Sequence, residues 1–182
     1  MPNEPRETLL LRAEAAILLT RRRARTNFWA FCRYIDPPFF ARRPFLKTVA
    51  NAFARIAVAY ESGRVRRLAV SLPPRAGKSY LSTIFITWML GRHPEGSVMR
   101  NCCSSPLYNK LSYDTRDIVR GRRFQEVFPE IGLKRDRQNV DGWSLNGATV
   151  SYFGGGVGGS VIGFGASMLA MTDDLYKSLE DA

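Results

Sequence analysis

The residues with the clearest chemistry are Gly77, Lys78 and Ser79, near the middle of the stretch RLAVSLPPRAGKSYLSTIF. The apolar run 68–72 predicts a buried strand before them, and 79–90 predicts a helix after them. A turn between a strand and a helix can point backbone amides at phosphate oxygens, while a lysine reaches the terminal phosphates and a hydroxyl ligates magnesium. The pattern therefore predicts a site for ATP and Mg²⁺. Its binding residues are Pro74, Arg75, Ala76, Gly77, Lys78 and Ser79.

Two features of this loop depart from the usual phosphate-binding pattern. Leu72 stands where an opening glycine is normally found, and Pro73 and Pro74 remove two amide donors. The guanidinium of Arg75 can supply charged donors in place of those amides. A chance Gly-Lys-Ser in a loop is the alternative, which the predicted strand and helix on either side disfavour.

A pair of acids, Asp173 and Asp174, ends a second apolar run, MLAMT. At a strand end beside the loop, the first carboxylate would hold magnesium through water, and the second would orient or deprotonate the attacking water. The pair could instead cap a short helix over 175–182. Because an aspartate in the second place is shorter than the usual glutamate, Glu180 could assist, although it is better explained as an exposed helical residue.

Alternating helices and strands must position these two motifs. We predict helices over 8–25, 28–35, 45–60, 79–90 and from 105 to about 120. The first of these has an apolar stripe of Leu9, Ala13, Ala16 and Ile17. We predict strands over 68–72, over 97–103 and in MLAMT. Asn146-Gly147 between two alternating runs predicts a hairpin, and the glycine-dense GGGVGGSVIGFG predicts a flexible connector. Strands that alternate with helices predict an α/β fold, with a mostly parallel sheet and helices on both faces.

The net charge of +11 is concentrated in one third of the chain. Residues 21–67 carry twelve basic and two acidic side chains, which gives +10. Such a concentration predicts a polyanionic partner, either nucleic acid or an acidic protein surface. A solvated basic face, with the run RRRAR favouring a helix C-terminus, is the alternative.

The composition argues against several other classes of protein. Three cysteines with two adjacent give no disulfide framework and favour a reducing cytosol, and a single histidine makes a zinc site improbable. No apolar run is long enough to cross a membrane. The segment GGGVGGSV fits the glycine loop of protein kinases, but no V-A-I-K strand follows it and H-R-D is absent.

Together the motifs resemble the N-terminal packaging ATPase of the large terminase subunit of tailed bacteriophages. LPPRAGKS is similar to that family's proline-containing Walker A motif, and LAMTDDLYKSLEDA is similar to a Walker B motif with a second aspartate. GGGVGGSVIGFGA and SSPLYNKLSYDTRDIVRGRRFQEVFPEI resemble the glycine-rich segment and the segment between the motifs. The likeness covers about residues 28–182.

This resemblance implies a P-loop NTPase fold of the ASCE type, which hydrolyses ATP to move double-stranded DNA into a procapsid. Lys78 would contact the β- and γ-phosphates, and Ser79 and Asp173 would hold magnesium. Asp174 would be the catalytic carboxylate, and Arg75 would be the arginine of the phosphate loop.

The resemblance also implies partners and a location. The portal protein, the small terminase subunit and further copies of the chain in a ring are expected, in the host cytoplasm at the portal vertex of the procapsid, with no membrane association. Arg116 and Arg120 are candidates for an arginine finger that acts on a neighbouring subunit, and ordinary surface arginines are the alternative.

Two segments follow from this comparison: a basic helical segment over 1–66 packing on the core, and an ATPase core over 67–182 that is incomplete at its C-terminus. No nuclease activity is expected, and the absence of a later strand between the two motif strands predicts marginal stability or a partner chain. Three rivals remain open. One is a helicase-type nucleic-acid ATPase, and another is a fragment that binds nucleotide, DNA or terminase partners without hydrolysis. The third is a purely structural protein, which gives no reason for the two motifs to occur together.

Overall fold

A computed structural model describes residues 6–139, 142–156 and 165–174. These residues form an α/β structure in which helices flank a five-stranded mixed sheet. The helices are α1 (Arg6–Thr26), α2 (Phe28–Ile35), α3 (Pro37–Ala41), α4 (Leu46–Glu61), α5 (Lys78–Arg92), α6 (Ser105–Arg120) and α7 (Arg122–Val127). The strands are β1 (Val98–Cys102), β2 (Leu133–Asn139), β3 (Gly142–Leu145), β4 (Tyr152–Gly156) and β5 (Leu169–Asp173).

The sheet has the strand order β2-β3-β4-β1-β5. Strand β1 pairs in parallel with β4 and β5, whereas β2 with β3 and β3 with β4 are antiparallel. The prediction of a mostly parallel sheet is therefore wrong. The predicted turn at Asn146-Gly147 accounts for the antiparallel pair of β3 and β4, because strands joined by a short turn run in opposite directions. The pair of β2 and β3 is a second antiparallel contact.

The predicted strand over 68–72 is also absent, and residues 64–73 have no regular secondary structure. Leu68 is 40% exposed and Val65 is 94% exposed. A strand forms only where a neighbouring strand accepts its backbone hydrogen bonds. Here a cavity of about 290 Å³ lies between residues 66–70 and β5, so the two segments do not pair.

The core is built around α5, whose residues 81–91 are all buried. The Phe85 ring lies 5.1 Å from Phe28 of α2 and 4.8 Å from Phe53 of α4, which fixes both helices against α5. Asn27 caps α2, because its side chain accepts a hydrogen bond from the Ala30 amide. Among the described helices, none is long and apolar enough to cross a membrane.

Helix α1 is present, but its predicted apolar stripe is not buried against the described part of the chain. Leu9 and Ile17 are about half exposed, and only Ala24 near the C-terminal end of α1 is buried. The Trp88 indole donates to the Ala24 carbonyl at 3.1 Å, which attaches this end of α1 to the core.

Helices α5 and α6 cover one face of the sheet. Arg100 of β1 reaches the hydroxyl of Thr83 on α5, and Tyr152 of β4 stacks on Tyr108 of α6. Since Val98 and Tyr152 are paired in parallel register, Arg100 and Tyr152 point to the same side. Helices α5 and α6 therefore lie on the same face of the sheet.

The start of the glycine-dense segment is strand, contrary to the prediction of a flexible connector. Gly154 and Gly156 belong to β4 and pair with β1. A Cβ at Gly154 would lie 1.8 Å from the Arg100 carbonyl oxygen, and one at Gly156 would lie 2.3 Å from the Ser105 amide nitrogen. These glycines therefore allow close backbone packing. The rest of the segment, 157–164, lies outside the described residues.

Candidate functional site

The predicted phosphate loop leads directly into α5. Gly77 is the N-cap, with φ 102°, and no side chain caps the helix. A Cβ there would meet the Phe39 ring at 2.8 Å, so both the conformation and the space require glycine. Arg75 has a left-handed φ of 63°. The uncapped amides of the first turn are available to an anion, and the helix dipole favours negative charge at this end.

The loop meets the second predicted motif. Lys78 Nζ lies 2.5 Å from Asp174 Oδ1 and 3.9 Å from Asp173 Oδ1. Ser79 Oγ donates to Asp173 Oδ1 at 3.2 Å. The two motifs are 94 or more positions apart in sequence, so only the tertiary fold brings these four side chains together.

Strand β5 positions the two acids. Asp173 is its last residue and pairs with Cys102 of β1, and the Cys103 amide donates to the Asp174 carbonyl at 3.0 Å. Asp173 is buried, whereas the side chain of Asp174 is 54% exposed and its backbone is left-handed, with φ 47°. The strand thus places one carboxylate inside the site and one at its mouth.

A cavity of about 340 Å³ lies between the loop and Asp174, a volume within the range of small-ligand sites. Ser79 Oγ and Asp173 Oδ1, which lie 3.2 Å apart, are oxygen atoms of the kind that magnesium prefers, either directly or through water. No cluster of three or more His, Cys, Asp or Glu side chains exists in the described residues. A metal here would therefore need phosphate and water oxygens in addition to Ser79 and Asp173, as nucleotide-bound magnesium does.

Arg100, which the sequence analysis did not single out, belongs to this site. Its side chain is fully buried, and Nη2 donates to Asp173 Oδ2 at 2.7 Å. It also donates to the hydroxyls of Ser82 and Thr83 at 2.9 and 2.8 Å. One arginine in the strand VMRNC carries no local sequence signal for this role, because its partners lie 17 to 73 positions away.

Two further side chains near the loop lie in unusual surroundings. Tyr80 donates to Asp36 Oδ2 at 3.1 Å, and burial, with the Asp36 carboxylate adding to it, raises the pKa of Tyr80 so that it stays protonated. Burial likewise raises the pKa of Cys102 to about 11, although nearby Arg100 acts in the opposite direction. Tyr80 therefore anchors the start of α5, and Cys102 is a packing residue rather than a thiolate.

Not all of the remaining predicted site residues lie at the loop. Arg75 is exposed and lines the cavity of the loop. Arg116 is only 6% exposed and lies over the Tyr113 ring, a position unsuited to reaching a neighbouring subunit, whereas Arg120 is exposed. Glu180 and the predicted helix 175–182 lie outside the described residues.

Comparison of the chain with protein-family models, curated proteins and solved structures gave no significant match.

Proposed function

We propose that this chain is the ATPase part of a phage DNA-packaging motor, with a P-loop NTPase site that hydrolyses ATP to translocate double-stranded DNA. The observation that supports ATP chemistry most directly is the convergence of Lys78, Ser79, Asp173 and Asp174 beside an uncapped helix N-terminus. A lysine, a hydroxyl and two carboxylates at a cavity of small-ligand size are groups that phosphoryl transfer uses.

Each side chain has a defined task in this proposal. Lys78 and the first-turn amides of α5 bind and neutralise the terminal phosphates. Ser79 and Asp173 would hold a magnesium ion, which would supply charge stabilisation to the phosphates. Asp174, the exposed acid, orients the attacking water and accepts its proton.

A magnesium-dependent ATPase assay on Lys78→Ala tests this arrangement. Turnover should fall at least about a hundredfold, because a group that stabilises transition-state charge is lost. Lys110→Ala is the matched control, since Lys110 is an exposed α6 lysine that pairs with Asp114. Residual Lys78→Ala activity close to that of Lys110→Ala would refute the site. Nucleotide binding without turnover in the native chain would favour the non-hydrolysing fragment.

The packaging part of the proposal is carried by the sequence resemblance and by the basic segment. Arg21 forms an ion pair with Glu126 of α7, and Arg25 forms one with Glu130, which follows α7. A groove of about 400 Å³ is lined by other side chains of α1 and α2, including Arg23, Trp29 and Arg33. We call it the α1–α2 groove, and we propose that its arginines contact DNA phosphates.

Salt-dependent DNA binding tests this part. Replacing Arg23 and Arg33 by glutamine should weaken binding and lower the log–log salt slope by about 1.8, because each lost phosphate contact removes about 0.9. The matched pair of Arg21→Gln and Arg25→Gln should change the slope by less than half of that, since acids already compensate those charges. Equal slopes for the two double variants would argue against the α1–α2 groove.

A further inference from the structure

The buried guanidinium of Arg100 joins three parts of the nucleotide site. It lies on β1, between β4 and the edge strand β5. Its hydrogen bonds reach Asp173 at the end of β5, and Ser79, Ser82 and Thr83 in the first turns of α5. An arginine thus connects the strand that carries one motif to the helix that carries the other.

We propose that Arg100 is a positioning residue for the metal-ligating carboxylate of Asp173, a role that rests on the proposed function. Arg100 holds Asp173 Oδ2 at 2.7 Å, while Oδ1 faces Ser79 Oγ at 3.2 Å and Lys78 Nζ at 3.9 Å. The arginine therefore selects which carboxylate oxygen is turned towards the cation. Partners of this kind, which orient a ligand without touching the metal, typically change metal affinity or activity by about 10- to 100-fold.

The surroundings explain why the arginine itself stays in place. Thr83 Oγ1 accepts from Nη1 at 2.8 Å, and Ser82 Oγ accepts from Nη2 at 2.9 Å. A buried charge requires a counter-charge, and Asp173 is the acid paired with Arg100 among the described residues. The hydroxyls of α5 fix the direction of the guanidinium, and the guanidinium fixes the carboxylate.

Orientation and charge predict opposite effects on magnesium. A cation beside a metal ligand repels the metal, so loss of charge alone would tighten magnesium binding. Loss of orientation would weaken it. A substitution that keeps the charge but removes one anchor of the guanidinium isolates the second effect.

Thr83→Val is that substitution, and Thr87→Val is its matched control. Both threonines are fully buried in α5, and both hydroxyls donate to a helix carbonyl. Of the two hydroxyls, that of Thr83 also accepts a hydrogen bond from Arg100. Thr83→Val should unfold at a lower temperature than Thr87→Val, because it leaves a buried guanidinium donor without its acceptor. The magnesium dependence is therefore compared at a temperature at which both variants are folded.

The readout is binding of a fluorescent non-hydrolysable ATP analogue, measured at increasing magnesium and also without magnesium. Thr83→Val should raise the half-saturating magnesium concentration about fivefold, and Arg100→Gln should raise it at least about tenfold. Arg100→Lys should recover part of the loss, because an ammonium group can still donate a hydrogen bond to Asp173. Thr87→Val should stay within about twofold of the native chain, and binding without magnesium should change less than about threefold in all variants.

Three outcomes would overturn this role. Equal magnesium dependence for Thr83→Val and Thr87→Val would leave Arg100 as a packing residue. The same conclusion would follow if Arg100→Gln weakened binding of the ATP analogue equally with and without magnesium. Tighter magnesium binding in Arg100→Gln would show that charge outweighs orientation. A native chain that does not bind the analogue would instead overturn the proposed function, and the Arg100 role with it.

Discussion

Replacing Asp174 by asparagine should have opposite effects on nucleotide binding and on turnover. Lys78 Nζ lies 2.5 Å from Asp174 Oδ1. To reach a triphosphate, the lysine must exchange this carboxylate for phosphate oxygens. Asparagine keeps the shape of the side chain and removes its charge, so the lysine is released more easily and repulsion of the phosphates is reduced.

The size of the binding effect follows from the exposure of the pair. The side chains of Lys78 and Asp174 are 30% and 54% exposed. Ion pairs this exposed are worth about 0.2–1 kcal/mol. Nucleotide binding should therefore tighten by about 1.4- to 5-fold. Turnover should fall at least about a hundredfold, because the proposed proton acceptor is lost.

Fluorescence titration with a labelled nucleotide and a phosphate-release assay measure the two effects. Asp114→Asn is the control, because it removes the same charge from an ion pair on α6. Asp114→Asn should alter neither binding nor turnover by more than about twofold. Weaker binding in Asp174→Asn would refute the exchange of partners at Lys78. Undiminished turnover would refute the catalytic role of the acid.

Two predictions concern stability and reactivity. Gly77→Ala should lower the free energy of unfolding, measured in urea titrations, by about 1–2 kcal/mol more than Gly147→Ala. Both glycines have positive φ, but a Cβ at Gly77 would meet the Phe39 ring of α3, whereas a Cβ at Gly147 has no atom within 4 Å. Equal losses of stability would contradict the contact with Phe39. Since burial raises the pKa of Cys102 to about 11, about one thiol in a thousand is ionised at pH 8. Brief alkylation at pH 8, followed by mass spectrometry, should leave Cys102 unmodified and label the more accessible Cys103. Labelling of Cys102 before Cys103 would contradict the burial of Cys102.

The five longer helices that were predicted have local signals, whereas the short helices α3 and α7 were not predicted. Asn27 caps α2, Pro37 follows its end, and Gly63 with φ 66° follows α4. The turn at Asn146-Gly147 also follows from two adjacent residues. Such features depend on neighbours in sequence, so they could be inferred without knowing the rest of the fold.

The errors came from features that depend on distant partners. Residues 68–72 have the composition of a strand, but in the described part of the chain they lack a neighbouring strand to pair with. The mixed sheet follows from which strands meet, and the role of Arg100 follows from α5 and β5 together. At the site, Lys78, Ser79, Asp173 and Asp174 were identified from their motifs, whereas the ion pair between Lys78 and Asp174 required the structure.

The position of β5 at the edge of the sheet affects which part of the protein would unfold first in denaturant. In the described residues β5 shares hydrogen bonds with β1 alone, yet it carries both acids. Fraying of this single ladder would carry the acids out of reach while Trp88 and Trp143 stayed enclosed in α5 and β3. The proposed ATPase activity would then be lost at urea concentrations where tryptophan emission still reports an intact interior.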